Sequence, residues 1–351
     1  MSSFKINKTI ISDDSPPYLI AEIGVNHEGS YDNAKMLIEL AKEGGANAAK
    51  FQSYKAETIA SENSPSYWDT SKESSTSQFK LFKKYDKFDP DDYIKLSEHC
   101  KKCEIDFLST PFDNHSINYL EPIMPAYKVA SADITNYPFL KKISEKKKPV
   151  ILSTGASTLS EINSAKKILE NSSRNSIALL HCILNYPTEN ANAHLSMIKG
   201  LKRTYPNTVI GYSDHTVPNK DMSSLIISYT LGARIIEKHF THDKTLKGND
   251  HYHAMDINDL KVFNLKLREV MELLGTSDKK PIESEIVSIK NARRSIVISK
   301  KVHKDQEITE DYLTYKRPGT GISPVEWTNV IGKHAKNDLE EDHILNWEDL
   351  K

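Results

Sequence analysis

Two histidines, two lysines and a glutamate sit at the ends of short apolar runs in this chain. His215 lies in Gly211-Tyr212-Ser213-Asp214-His215-Thr216, and His239 in Glu237-Lys238-His239-Phe240-Thr241. Two neutral imidazoles side by side are natural ligands for a divalent first-row metal. They leave positions open for water and a substrate oxygen, as a catalytic metal requires. Lys50 follows Ala48-Ala49, and Lys128 follows Ala126-Tyr127. With the hydroxyls of Thr110, Ser131, Ser153 and Ser213 they make an anion cradle, the mixture of charged and neutral donors that phosphate takes. Glu22, in Ile20-Ala21-Glu22-Ile23-Gly24, is an acid/base or electrostatic stabiliser; its blander role is an ion pair with Lys50. Asp133, just past Ser131, is a second carboxylate near the same place. Asp250 lies in a polar stretch suited to hydrogen-bonding a polyol. His251 and His253 beside it have no strand to anchor them and rank low as metal ligands. His27 also ranks below the His215–His239 pair.

What could gather these residues is a ring of strands. Eight apolar runs end on useful polar groups: Tyr18–Gly24, Ala48–Ser53, Asp106–Thr110, Ala126–Ser131, Pro149–Thr154, Ile177–Cys182, Thr208–Ser213 and Arg234–Phe240. Helical patterns alternate with them: Asn33–Glu43 before Gly44-Gly45, Asp89–Lys102 behind Asp-Pro, Leu159–Glu170, Asp221–Leu231 and Asp256–Leu274. Eight strand–helix units predict an α/β fold, a closed (β/α)8 TIM barrel over residues 1–275, with its chemistry at the carboxyl ends of the strands. The long Tyr54–Lys87 connection follows a strand and so belongs over that mouth; its aromatic residues predict partial packing. Residues 276–288 change character and read as a linker. Residues 289–351 then form a small β-rich domain whose thin core would gain from docking on the barrel or on a partner subunit.

Composition removes other classes. Of 351 residues, 38% are hydrophobic and 27% charged, and 47 basic residues are balanced by 48 acidic ones to a net charge of −1. No clustered basic face points to nucleic acid. No apolar stretch approaches the ~20 residues of a membrane span, and Met1–Thr9 is polar, without an apolar signal core. Three cysteines cannot build a disulfide framework, so a reducing, cytoplasmic setting is expected. Cys100 and Cys103 form a CxxC beside His99 but lie on a helical pattern, which predicts packing rather than metal or redox chemistry.

The ordered motifs resemble those of the sialic acid synthases, the phosphoenolpyruvate-condensing enzymes of N-acetylneuraminate and related nonulosonic acid synthesis. They are Ala21-Glu22-Ile23-Gly24-Val25-Asn26-His27-Glu28-Gly29, Lys50-Phe51-Gln52, Leu108-Ser109-Thr110-Pro111-Phe112, Ile151-Leu152-Ser153-Thr154-Gly155, His181-Cys182 with Tyr186-Pro187, and the two histidine motifs above. Arg293-Arg294-Ser295 through Lys316-Arg317-Pro318-Gly319-Thr320-Gly321 resembles that family's antifreeze-like (SAF) domain. The resemblance implies a transferase in which Lys50, Thr110, Lys128, Ser131, Ser153 and Ser213 hold phosphoenolpyruvate. It implies that His215 and His239 hold manganese, or magnesium or cobalt, and that Glu22 is catalytic. Gln52, Tyr186 and Asp250 would contact an N-acyl aminosugar. Arg317 would enter the partner subunit's site in a domain-swapped homodimer. Two departures stand out. Asp133 takes the place of a family glutamate one methylene longer, and Asn185 is displaced by one position from the family's phosphate-contacting asparagine.

Overall fold

A period of two along the central strands separates core from chemistry. The computed structural model describes residues 2–68, 70–71, 73–170, 176–248 and 250–351. Its strands are β1 (Ser3–Ile6), β2 (Thr9–Ser12), β3 (Tyr18–Gly24), β4 (Ala48–Ser53), β5 (Asp106–Pro111), β6 (Tyr127–Val129), β7 (Val150–Ser153), β8 (Ile177–Cys182), β9 (Val209–Asp214), β10 (Ile235–His239), β11 (Ser295–Ile298) and β12 (Leu313–Lys316). Strands β3 to β10 are parallel and ordered β5-β4-β3-β10-β9-β8-β7-β6. The end strands β5 and β6 pack side by side, so the sheet is a nearly closed barrel.

Alternate residues of each strand face opposite ways. One set, including Leu19, Phe51, Leu152, Leu179, Ile210 and Ile236, packs with the surrounding helices. The other set starts apolar, with Ile20, Ala48, Leu108, Ala126, Ile151, Leu180 and Ile235 in one interior cluster. Two residues further on, the same face carries Glu22, Lys50, Thr110, Lys128, Ser153, Cys182 and Glu237. The interior thus changes from a hydrophobic plug to a reactive layer within one pleat. Gly211 lets β9 pass through the plug, because a Cβ there would run into Leu180 Cδ2 and the Ile235 carbonyl oxygen.

The β1–β2 hairpin adds Phe4, Ile6 and Ile11 to the interior cluster, next to residues at the amino-terminal ends of the strands. By sequence, Met1–Thr9 reads only as a polar stretch. Helices appear at Tyr31–Gly44, capped by Ser30 and stopped at Gly45, and at Pro90–Lys102, with an Asp89 capping box. Others span Leu159–Glu170, Ser223–Thr230 and Ile257–Leu274. Cys100 is buried in the helix–sheet core and Cys103 packs against it. The long connection after β4 contains helices at Ala56–Ile59 and Gln78–Tyr85.

The chain divides into two compact units, Met1–Leu274 and Gly275–Lys351. The stretch read as a linker carries a helical turn at Glu283–Glu285 that leads into a short exposed helix, Ile286–Ala292. In the second unit β11 and β12 pair antiparallel over a core of its own, with Ile296, Ile298, Val302, Ile308, Leu345 and Leu350. Among the described residues no helix is long and apolar enough to cross a membrane.

Candidate active site

Four charged side chains meet inside the carboxyl-terminal half of the barrel. Glu22 on β3, Lys50 on β4, Lys128 on β6 and Glu237 on β10 are each at most 5% exposed. Parallel register aligns them: Glu22 lies opposite Lys50 and His239, and Glu237 opposite Ser213. Lys50 Nζ pairs with Glu22 Oε2, stands 3.6 Å from Glu237 Oε2 and donates to Thr110 Oγ1 at 3.0 Å. Lys128 Nζ is 3.4 Å from Glu237 Oε1, which also accepts from Ser213 Oγ at 2.9 Å. Gln52 Nε2 donates to Glu22 Oε1 at 3.0 Å. Two cations and two carboxylates cancel, which is how so many charges survive burial.

The four are not equally satisfied. Burial pushes Glu237 up, but Lys128 and Lys50 outweigh it and hold the carboxyl at about 2. Burial, reinforced by the neighbouring Glu237 charge, holds Glu22 above the ordinary carboxylate range despite Lys50. Burial lowers Lys50, but Glu22 and Glu237 more than restore it. Burial lowers Lys128, and Glu237 only partly compensates. Lys128 is therefore the cation that an incoming anion would stabilise most. The Ser153 hydroxyl beside this layer is buried without a hydrogen-bond partner, and Ser131 Oγ accepts from the Gly155 N–H at 2.9 Å.

Next to the charges is a cluster of imidazoles. His215 and His239 rings stand 5.5 Å apart. His215 Nδ1 lies 2.8 Å from the Ile183 carbonyl oxygen. A carbonyl only accepts, so the proton is on Nδ1 and Nε2 keeps the lone pair. Burial holds His215 down at about 4, and burial with the neighbouring imidazoles holds His239 well below its ordinary value. Both rings are neutral and ready to ligate. His239 Nδ1 is buried without a hydrogen-bond partner, with Asp250 Oδ2 3.4 Å away. Each such orphaned polar atom costs about 1–3 kcal/mol, a cost that a bound ion removes. The donor set fits a divalent metal.

A cavity of about 350 Å³ opens above, lined by Gln52, Ser131, Asp133, Tyr186, His239 and Asp250. The Tyr186 ring lies tilted against the His215 ring, with centroids 4.1 Å apart. Asp133 accepts from Asn136 Nδ2 at 3.2 Å, and burial raises its carboxyl. The connection after β4 supplies Tyr67, Trp68, Phe82 and Tyr85 to the wall. The barrel thus brings together every expected site residue but one. Arg317 belongs to the second unit, where its side chain is exposed. Asn185 is exposed. His27 is a packing residue, its ring stacked on Phe88 at 4.2 Å.

Glu237 and His253 carry weight that the sequence reading did not give them. Glu237 was legible in principle, since it shares a strand face with His239 two residues on. His253 shows no such periodicity. A parallel barrel with buried charges and unsatisfied donors at one mouth is the architecture of an enzyme.

Comparison with known proteins agrees. Residues 37–279 match the NeuB family and residues 293–351 the SAF domain. The chain is 37% identical over 332 residues to the N,N'-diacetyllegionaminic acid synthase of Campylobacter jejuni, covering 93% of this chain and 98% of that one. It is 30% identical over 332 residues to the N-acetylneuraminate-9-phosphate synthase of Homo sapiens, covering 94% and 91%. The crystal structure of N-acetylneuraminic acid (sialic acid) synthetase from Leptospira borgpetersenii, in complex with citrate, matches with TM-score 0.73 at 33% identity, covering 82% of this chain and 95% of that one. The chain belongs to the NeuB family of nonulosonic acid synthases and carries a carboxyl-terminal SAF domain.

Proposed function

We propose that this chain condenses phosphoenolpyruvate with the open-chain aldehyde of an N-acyl aminosugar and water, giving a nonulosonic acid and phosphate by C–O cleavage. The observation that carries the proposal is the buried Glu22–Lys50–Glu237–Lys128 cluster, with the unpartnered Ser153 hydroxyl, beside neutral imidazoles. Lys50 and Lys128 hold the carboxylate and phosphate, helped by Thr110, Ser131, Ser153 and Ser213. His215 and His239 would hold a divalent ion (manganese, or magnesium or cobalt), which when bound supplies Lewis acidity toward the aldehyde oxygen. C3 of the enol attacks the aldehyde carbon. Positive charge develops at C2, where Glu22, seconded by Asp133, stabilises it. Water adds at C2 and the C2–O bond to phosphate breaks. One proton of that water ends on the former aldehyde oxygen and the other on the departing phosphate. Glu22, held above its ordinary range by burial, is suited to pass a proton.

Gln52, Tyr186 and Asp250 line the sugar end. The partner subunit's Arg317 would orient the acyl group by directed hydrogen bonds in a domain-swapped homodimer. Three free cysteines suit a cytoplasmic enzyme. The test is phosphate release from phosphoenolpyruvate with N-acetylmannosamine and with the 2,4-diacetamido-trideoxy hexoses that lead to legionaminate and pseudaminate. Release with one of these sugars and none without sugar supports the reading; no release with any of them sinks it. A second reading, a Schiff-base aldolase, draws on the lowered Lys128. Borohydride trapping with pyruvate separates the two, because only the aldolase leaves an adduct on Lys128.

A further inference from the structure

His251 and His253 are near neighbours in sequence, and the structure treats them oppositely. His251 is spoken for: its Nδ1 lies 2.8 Å from Thr241 Oγ1 and its Nε2 3.8 Å from Glu28 Oε1. His253 is fully buried, and neither of its ring nitrogens has a hydrogen-bond partner. Its ring stands 5.0 Å from His239 and 6.4 Å from His215. One donor atom each from His239, Asp250 and His253 lie within 4.8 Å of one another. The segment that presents it is not loose. Met255 N–H donates to the His239 carbonyl at 2.8 Å, Thr241 N–H donates to the Met255 carbonyl at 3.0 Å, and Phe240 and Met255 form a parallel bridge. His253 therefore has the strand anchoring that its sequence position conceals.

A buried imidazole whose ring nitrogens meet no hydrogen-bond partner has a lone pair to offer an electron-pair acceptor. From these contacts we infer that His253 is a third imidazole ligand of the divalent ion that the proposed function places on His215 and His239, an inference that rests on that reading. Asp250 stands beside His239 and His253, where its carboxylate offsets the ion's charge. Three nitrogens, where two were expected, strengthen binding. They also shift preference toward the imidazole-favouring later first-row metals and away from magnesium.

The test uses the full chain stripped with chelator and titrated with Mn2+ by calorimetry, with pulsed EPR counting the coordinated nitrogens. The wild type should show three coupled nitrogens. His253→Ala and His253→Gln, shown by circular dichroism and melting to be folded, should show two and bind Mn2+ at least ~10-fold more weakly. Two nitrogens in the wild type, or an unchanged dissociation constant in a folded variant, overturns the inference; if neither variant folds, the wild-type count decides. His215→Ala abolishing binding while His253→Ala leaves it intact would keep the metal reading and reject His253. A wild type that binds no Mn2+ rejects both.

Discussion

On the proposed function, anion binding turns on Lys128 and Glu237. Burial holds Lys128 below the ordinary lysine range, and the proposed seat for phosphoenolpyruvate needs it charged. Affinity for phosphoenolpyruvate should therefore fall as pH rises through the lowered value, with an inflection below that of an ordinary lysine. Between those two values the unfolded chain holds the proton and the folded one has lost it. The Lys128 contribution to ligand-free stability thus rises with pH across the window in which affinity falls. Melting curves and KM measured over the same pH series check both signs. Glu237→Gln keeps the shape but leaves two buried lysines short of a carboxylate. Breaking buried pairs of this kind costs about 3–5 kcal/mol. Saturating phosphate should recover part of the lost melting temperature, because it brings the missing negative charge. Absence of that recovery would argue against an anion seat at Lys128.

Among the elements, the Lys316–Gly321 loop is tied by the Gly319 N–H, which donates to the Lys290 carbonyl at 2.8 Å, and by one buried serine. Ser295 Oγ donates to the Pro318 carbonyl at 2.7 Å and accepts the Gly321 N–H at 2.8 Å. Gly321 passes so close to Ile344 and the Leu345 carbonyl that a Cβ would collide. Ser295→Ala leaves two groups unsatisfied, at roughly 1–3 kcal/mol each, and frees the loop bearing Arg317. It should copy Arg317→Ala in steady-state kinetics, raising KM for the sugar several-fold with little change for phosphoenolpyruvate. The eight barrel strands were legible because each joins an apolar run to a polar end. The β1–β2 hairpin was not, because three inward residues, Phe4, Ile6 and Ile11, are too few to show a period. The helices inside the Tyr54–Lys87 connection were hidden by its Ser- and Lys-rich composition, although its aromatic residues did announce packing against the cavity. At the site, run ends pointed to His215 and His239. Glu237 lies one pleat before a run end, and His253 reaches the cluster through the Phe240–Met255 bridge, which leaves no mark in the sequence.

For the whole molecule the issue is whether one chain completes its own site. Arg317 lies in a separate compact unit with its own core. If the partner subunit's Arg317 completes each barrel, two crippled chains should repair one another. Arg317→Ala has a sound barrel, and Glu22→Gln has a sound arginine. Mixed after dissociation and reassembly, and assayed at low sugar, they should give more activity than the two variants assayed apart; no gain in verified heterodimers would mean that the arginine acts within its own chain.

The most direct measurement follows oxygen. Phosphoenolpyruvate carrying 18O in its bridging C–O–P position, turned over with the accepted sugar, should release phosphate that contains the label, seen as an isotope shift in the 31P spectrum. Unlabelled phosphate, with the heavy oxygen kept in the sugar acid, would show that the P–O bond breaks and that the C2 chemistry assigned to this buried cluster is wrong.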